Sequence, residues 1–437
     1  MSINSYYKFF SFVLILLSIS SFFIGFIYGE NSAGAGSFSG DFVGFWKNLQ
    51  VFLNNDLTTA LKFTTELDGD NYRSSRTPLV YIFHAFLNPF AENKIYFIRS
   101  VFVLSLSAPI LFYLCLREKF KNEQNLLLIL ISTTLCLSPY FRTSAYWGLE
   151  ENFGLITLLL AFLFLNKFLS NKHSEWKNFY LLFSTTLFSS LCLYFDQKLT
   201  IIPLICFFQI IFSSKSFNLK SFSVLFYFIF SLPYIYLMIS WGSIIPSADS
   251  LTRRVGSQLN FGNLGYAITI ISFYLLPLLF FKKNNFVTLF INFFKMKKNY
   301  YLIVLFFIYL IYLLFFYDYT SETTLGKGFI HKAGLILFQD YSFQRIFTYV
   351  SFFVSWIILL IYLDDSMKDK LIIIYFFLLS IVAWPILQEY FDPVIILMAF
   401  TFFGSKLFIS YKNSMLLYFY LSILLISSNI YYYNLFN

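Results

Sequence analysis

The chain has 437 residues, of which 58% are hydrophobic and only 12% are charged. A soluble domain of this length could not bury so much apolar surface, so the composition predicts a protein whose solvent is the lipid bilayer. The formal net charge of +9 is spread over many short segments and therefore does not indicate a nucleic-acid partner.

Apolar runs separated by short polar loops predict an all-α integral membrane protein with about thirteen transmembrane helices, since one span needs roughly 20 apolar residues. The first run is long and no small-residue cleavage site follows it closely, so we expect a retained span rather than a signal peptide. Two segments, 79–92 and 286–294, are too short to span and are predicted to be re-entrant or interfacial helices. The predicted spans are residues 8–28, 96–116, 125–141, 153–170, 178–195, 199–214, 221–241, 264–281, 300–317, 344–363, 371–388, 394–411 and 414–433.

The distribution of lysine predicts the orientation of these spans. Seventeen of the 23 lysines fall on one side of the membrane if the N-terminus is cytoplasmic, and cytoplasmic loops carry an excess of Lys and Arg. We therefore expect a multi-pass protein of a bacterial inner membrane, with a cytoplasmic N-terminus and an extracytoplasmic C-terminus. No internal repeat or second soluble domain is visible, so residues 1–437 are predicted to form a single polytopic membrane domain.

The arginines do not follow the lysines, since only Arg117 of the eight falls on the predicted cytoplasmic side. A guanidinium group binds two phosphate oxygens at once, which the ammonium group of lysine cannot do. The distribution therefore predicts a phosphorylated ligand at the outer face, with Arg73, Arg76 and Arg142 as the groups that hold it. The alternative is that the outer arginines pair with outer carboxylates. These arginines are Arg73, Arg76, Arg99, Arg142, Arg253, Arg254 and Arg345.

The first outer loop, residues 30–94, contains the longest polar interruption in the chain and is predicted to carry short amphipathic helices. A loop of this length with its own apolar pattern is rarely only a connector. Asp41 precedes a helix-like run at 42–52, so its carboxylate is expected at the lip of the helix bundle. There it is a candidate general base toward a hydroxyl group, and the alternative is that it only caps the helix.

A second group of charged residues follows in the same loop, where Asp68 and Asp70 precede Arg73 and Arg76. The four side chains form either a self-contained set of salt bridges or a site in which the arginines hold phosphate. Asp70 is the competing candidate for the catalytic base, although two neighbouring arginines should lower its pKa and weaken it in that role. We therefore expect Asp41 to take the proton and Asp70 to orient the two arginines.

Further candidates for substrate binding come later in the chain. Glu150 and Glu151 open a predicted span, where the helix dipole alone also favours acidic residues. Asp196 and Lys198 lie in a tight turn between two spans, and Glu389 lies in a similar outer turn. Charged groups at the centre of a bilayer are costly, so these side chains are expected at the interface or facing a cavity.

Cysteine and histidine do not indicate a metal site. The four cysteines all fall within apolar runs and lack metal-ligand spacing, so they are expected to be free structural thiols. The three histidines are scattered along the chain. No cofactor is predicted, and the sequence leaves open whether a divalent metal is needed.

The chain resembles the polytopic glycosyltransferases of the GT-C fold that use lipid-phosphate sugars, and in particular the dolichyl-phosphate-glucose alpha-1,2-glucosyltransferases and related bacterial enzymes. The resemblance rests on a first span, a long acidic outer loop and the stretch YRSSRTPL (72–79) before a short helix. The turns YFDQK (194–198) and QEYFDP (388–393) are similar to a basic-Gln turn and an acidic-aromatic-Pro turn of that family. The adjacent acidic pair of the family's first loop is absent, because Asp41 is followed by Phe42, which leaves the choice between Asp41 and Asp70 open.

The resemblance implies an inverting hexosyltransferase with a carboxylate as general base. The implied donor is a polyprenyl-phosphate sugar in the membrane lipid, the acceptor is an extracytoplasmic glycan or lipid, and Arg or Lys holds the charge of the leaving phosphate. One alternative is an O-antigen or polysaccharide polymerase or ligase, although such enzymes often rely on a large loop later in the chain. The other is a polytopic transporter or lipid flippase, although that class places charges within the spans.

Overall fold

A computed structural model describes most of the chain, and every regular element in the described part is a helix rather than a strand. The all-α class predicted from the sequence is therefore confirmed. The described residues are 3–33, 41–66, 72, 74, 76–170, 174–213, 216–242, 259–317, 319, 326–363, 366–383 and 385–436. The helices are α1 Ile3–Ile27, α2 Asp41–Asn54, α3 Leu57–Phe63, α4 Leu79–Leu87, α5 Lys94–Ser105, α6 Ser107–Lys119, α7 Asn125–Thr133, α8 Pro139–Trp147, α9 Glu150–Leu169, α10 Glu175–Phe195, α11 Ile201–Ser213, α12 Phe217–Trp241, α13 Gly262–Leu275, α14 Phe286–Lys295, α15 Lys297–Phe316, α16 Gly328–Leu337, α17 Tyr341–Leu363, α18 Met367–Val382, α19 Val394–Thr401 and α20 Tyr411–Phe436.

Nine helical stretches in these ranges are long and apolar enough to cross a membrane, which supports a multi-pass α-helical membrane protein. The pair 125–137 and 139–147 is a tenth candidate, bent by 70° at its break. The count of about thirteen spans is not confirmed, because the stretches predicted at 199–214, 371–388 and 394–411 contain helices shorter than a bilayer requires.

The stretch predicted to span at 394–411 has a local physical reason to stop early. Helix α19 ends at Thr401, and the chain then leaves the helical path. The buried Asp369 carboxylate accepts the backbone N–H groups of Gly404 (2.8 Å) and Ser405 (3.1 Å), and also the Ser405 hydroxyl (2.7 Å). Because a continuing helix would use those N–H groups internally, the carboxylate favours the break.

Several helices begin at a side-chain cap, as expected from their sequences. Asn93 accepts the N–H groups of Ile95 and Tyr96 at the start of α5. Ser138 accepts the N–H of Phe141 at the start of α8, where Pro139 occupies the first helical position. These contacts satisfy N–H groups that have no partner within the helix.

The chain divides into two compact units, and the single polytopic membrane domain expected from the sequence stays a prediction. Unit 1 comprises Met1–Ser250 and Tyr418–Asn437, and unit 2 comprises Leu251–Leu417. In unit 1 the hairpin of α9 and α10 is the centre, with α6 packed on α9 and with α11 and α12 packed on α10. In unit 2 the buried helix α13 packs against α16, α17, α18 and α19.

The ends of the unit 1 helices differ in charge. Because α9 and α10 are antiparallel neighbours, the acidic start of α9 lies beside the end of α10, where Gly154 closely approaches Asp196. The opposite ends carry Lys167 in the last turn of α9 and Lys177 in the first turn of α10. This separation is the one that the lysine-based topology requires, and the orientation in the membrane stays a prediction.

Candidate functional site

The stretch before α4 is held in place by hydrogen bonds and buried aromatic packing. Tyr72 is fully buried, contacts Tyr81 edge to face at 5.9 Å, and donates its hydroxyl to the Arg76 carbonyl (2.9 Å). The Arg76 N–H donates to Ser74 Oγ (3.1 Å), and the Thr77 hydroxyl donates to the carbonyl of Tyr194 at the end of α10. The backbone at Arg76 is therefore fixed against the ends of α9 and α10.

Arg76 joins a cluster of five charged side chains at this end of unit 1. One of its guanidinium nitrogens, Nη1, pairs with both Glu150 and Glu151, at 2.6 Å from Glu151 Oε1. Lys198 Nζ lies 3.6 Å from Glu151 Oε1 and 3.5 Å from Asp196 Oδ2. We call Arg76, Glu150, Glu151, Asp196 and Lys198 the charge cluster. Three carboxyl groups therefore lie within reach of two cationic groups.

The positions of these acids follow from helix chemistry. Glu150 and Glu151 occupy the first turn of α9, where the exposed N–H groups and the helix dipole favour negative charge. Asp196 caps the end of α10, and its carboxylate accepts the Lys198 N–H (3.1 Å). A Cβ atom added at Gly154 would lie 2.7 Å from the Asp196 Cβ, so glycine permits the close approach of the two helices.

Polar atoms without partners lie among the residues of the charge cluster and their immediate neighbours in sequence. Glu151 Oε2, both amide atoms of Asn152 and Gln197 Nε2 are buried and have no hydrogen-bond partner in the described protein. An unsatisfied buried polar group costs roughly 1–3 kcal/mol, so native proteins seldom leave several together. Carboxylate and amide groups of this kind fit a ligand that presents hydroxyl groups.

The candidate base Asp41 is the first residue of α2 and is exposed. Helix α2 buries Phe42, which lies 6.0 Å from Trp147 between ring centroids, and α2 also packs on α4. This packing brings the Asp41 carboxylate into electrostatic interaction with Glu150 of the charge cluster. The competing base Asp70 lies outside the described residues, as does Arg73.

Arg142, a predicted phosphate ligand, is instead a buried partner of Glu30. Its Nε donates to Glu30 Oε1 (2.9 Å), and its Nη2 pairs with Glu30 Oε2 and donates to the Ser21 carbonyl (2.8 Å). Its Nη1 donates to Ser21 Oγ (3.1 Å) and to the Cys136 carbonyl (3.0 Å). All five N–H donors of this guanidinium therefore have protein partners, which favours the alternative that it is an ion-pair partner.

Glu389 lies in unit 2, on the short helical turn Gln388–Tyr390, and its predicted role in substrate binding stays a prediction. Its neighbour Gln388 accepts the Phe329 N–H (2.7 Å) and donates to the Tyr274 hydroxyl (2.7 Å). The sequence did not indicate Asn152 or Gln197 as site residues. Asn152 directly follows Glu151, and Gln197 directly precedes Lys198. This position next to a charged candidate is the feature of the sequence that could have indicated them.

The four cysteines are free and buried. Within the described ranges, no group of three or more His, Cys, Asp or Glu side chains is arranged to hold a metal ion. Comparisons of the chain with protein-family models, with curated proteins and with solved structures gave no match.

Proposed function

We propose that this protein is a membrane glycosyltransferase that transfers a hexose from a polyprenyl-phosphate donor to an extracytoplasmic glycan or lipid acceptor. The supporting observation is the charge cluster with its unsatisfied carboxylate and amide atoms, at the end of unit 1 where α2, which begins at Asp41, packs on Trp147. Sugar hydroxyl groups both donate and accept hydrogen bonds, so they complement Glu151, Asn152 and Gln197.

The ion pairs of the cluster indicate which part of the substrates it binds. Lys198 Nζ lies 3.6 Å from Glu151 Oε1 and 3.5 Å from Asp196 Oδ2, so its charge is directed to carboxyl groups rather than to a phosphate dianion. Arg76 is already shared between two glutamates, which it holds together at the start of α9. We therefore assign sugar or acceptor hydroxyl groups to the charge cluster and leave the donor phosphate to other basic residues, with Arg73 as the sequence-based candidate.

In the proposed reaction, Asp41 acts as the general base. The acceptor oxygen forms a bond to the anomeric carbon while the bond from that carbon to the phosphate oxygen breaks. The hydroxyl proton passes to the Asp41 carboxylate, and the polyprenyl phosphate leaves with the electron pair of the broken bond. Attack opposite to the leaving group inverts the anomeric configuration, and a positioned base typically contributes about 10²- to 10⁴-fold to the rate.

The test is sugar transfer in membranes that contain the full-length protein, supplied with a panel of polyprenyl-phosphate hexoses. We expect Asp41→Asn to reduce turnover by about 10²-fold or more. Asp56→Asn is the matched control, because Asp56 is an exposed acid in the same loop that caps α3, and asparagine also caps helices. The sugar-transfer activity of Asp70→Asn is measured in the same assay as that of Asp41→Asn.

Near-normal turnover of Asp41→Asn would exclude Asp41 as the base, and a loss confined to Asp70→Asn would move the assignment to Asp70. If the wild type transfers no hexose from any donor but extends a lipid-diphosphate glycan, the polymerase alternative replaces the proposal. If it moves such lipids across vesicles without any transfer, the flippase alternative replaces it.

A further inference from the structure

Unit 2 contains a backbone turn that holds a lysine in an unusual conformation. Gly326, Lys327 and Gly328 have φ angles of 78°, 61° and 80° just before and at the start of α16. The Lys327 N–H donates to the Ile386 carbonyl (2.7 Å), which fixes the turn. The left-handed region is sterically unfavourable for a residue with a side chain, and glycine would avoid that cost. The lysine side chain therefore needs a reason other than backbone geometry.

The turn brings three basic residues together on the buried side of α16. Lys327, His331 and Lys332 are 9%, 2% and 9% exposed. Lys327 Nζ lies 5.5 Å from the ring centroid of Tyr266 and 5.9 Å from that of Tyr319. The His331 ring contacts the same two tyrosines, at 5.3 Å and 5.9 Å. We call Lys327, His331 and Lys332 the basic cluster.

The basic cluster is not explained by the stability of α16. Cations at a helix N-terminus oppose the helix dipole, and burial lowers the pKa of Lys327 and of Lys332 to about 8. Burial, with the charges of both lysines, lowers the pKa of His331 to about 3, so its imidazole is neutral at pH 7. Apolar residues would pack here at lower cost.

His331 supplies an independent sign of a ligand. Both of its ring nitrogens are buried and have no hydrogen-bond partner among the described residues. A neutral imidazole carries one N–H donor and one acceptor, so at least one donor at this helix end is unused. An oxyanion placed there would accept that donor and face the charges of two lysines, both of which act on the His331 ring.

We propose that the side chains of Lys327, His331 and Lys332 form a binding site for a phosphate group, either free or carried by a lipid headgroup. The site lies in unit 2 and uses none of the residues assigned above to sugar transfer, so it stands whether or not the protein is a glycosyltransferase. Lysine is a common phosphate ligand in proteins, and the buried His331 ring adds a hydrogen-bond donor beside the two lysines.

The test uses the purified full-length protein in detergent and measures its thermal unfolding with increasing inorganic phosphate or dihexanoyl phosphatidic acid. Chloride at equal ionic strength is the reference in both titrations. We expect at least one phosphate compound to raise the unfolding temperature in a saturable manner. A response to the lipid alone identifies a headgroup site, whereas a response to both identifies a site for free phosphate. No response beyond that of chloride overturns the proposal.

Single substitutions test whether phosphate binds at the basic cluster. Lys327→Asn removes the charge but keeps a residue that tolerates positive φ, and Lys332→Gln keeps most of the packing. Each should weaken the apparent affinity by about 10-fold or more, since a charge-assisted hydrogen bond contributes roughly 1.5–3 kcal/mol. Lys283→Gln, at an exposed lysine of the same unit, is the control and should bind like the wild type.

Two further comparisons separate a loss of phosphate binding from misfolding and from a general salt effect. Lys332→Arg keeps the charge, so it should retain most of the binding that Lys332→Gln loses, which a loss through misfolding would not show. If both neutral variants bind like the wild type, or if Lys283→Gln weakens binding equally, the observed stabilisation is a general salt effect and the basic cluster is not the site.

Discussion

Replacing Arg142 by methionine should destabilise unit 1 strongly, because it leaves the Glu30 carboxylate without its main partner. The substitution removes five hydrogen bonds, of which two go to Glu30. Only the amide of Asn429, at 3.1 Å from Glu30 Oε1, then remains among the contacts described above. Breaking a buried ion pair by removing one partner costs about 3–5 kcal/mol. The Glu30 side chain is 15% exposed, which places the expected cost near the lower end.

A double-mutant cycle separates the stranded charge from lost packing. In Glu30→Gln/Arg142→Met no charge is left, so the double variant should be more stable than Arg142→Met alone. A coupling free energy of roughly 2 kcal/mol between the two positions is expected. The free energy of unfolding is measured by SDS titration in mixed micelles, with helicity followed by circular dichroism.

A further variant, Arg142→Lys, decides between the two roles of Arg142. If Arg142 were a phosphate ligand, Arg142→Lys would fold normally and only lose transfer activity. As an ion-pair partner, Arg142→Lys should instead lose stability, because an ammonium group cannot supply five donors in a plane. Arg142→Met with an unfolding free energy within about 0.5 kcal/mol of the wild type would refute the structural reasoning.

Other expected outcomes concern the packing and the topology. Gly25→Ala places a Cβ against the Glu30–Arg142 pair and 2.7 Å from the Tyr146 hydroxyl, so it should cost about 1–3 kcal/mol in the same titration. Gly44→Ala, at an open helical position, should instead stabilise by roughly 0.5–1 kcal/mol. Tyr72→Phe removes the bond to the Arg76 carbonyl and should cost about 1 kcal/mol; an unchanged value would mean that this bond does not hold the turn. Reporter fusions at Lys297 and at the C-terminus should be active in the cytoplasm and outside it, respectively, and a C-terminal reporter active only in the cytoplasm would contradict the predicted topology.

The sequence predicts the helices better than the contacts between them. Apolar periodicity is local, and the segment predicted as a short helix at 79–92 contains the helix Leu79–Leu87. The break after Thr401 depends on Asp369, which lies 35 residues before Gly404, so no local pattern reveals it. The excess of arginine at the predicted outer face did indicate that Arg76 belongs to a functional site.

Local reasoning could not show which partner each arginine has. Arg142 pairs with a carboxylate 112 residues away, and Arg76 is shared between two adjacent glutamates. Both pairings depend on how the helices pack, and composition does not encode that packing. Asn152 and Gln197 were missed for a related reason. An amide side chain is recognised as a candidate binding group only when the structure shows that its atoms are buried without hydrogen-bond partners.

The closure of unit 1 by the last helix has a consequence for biosynthesis. Asn429 contacts Glu30 across 399 residues, and Ser428 contacts the Ser32 carbonyl across 396. Synthesis proceeds from the N-terminus, so the ribosome must translate all of unit 2 before these contacts can form. During that interval the end of the first helix is held by earlier helices, through contacts such as those of Arg142 and Tyr146. Nascent chains released before Asn429 should be targets for membrane proteases even when every residue of the charge cluster has been made.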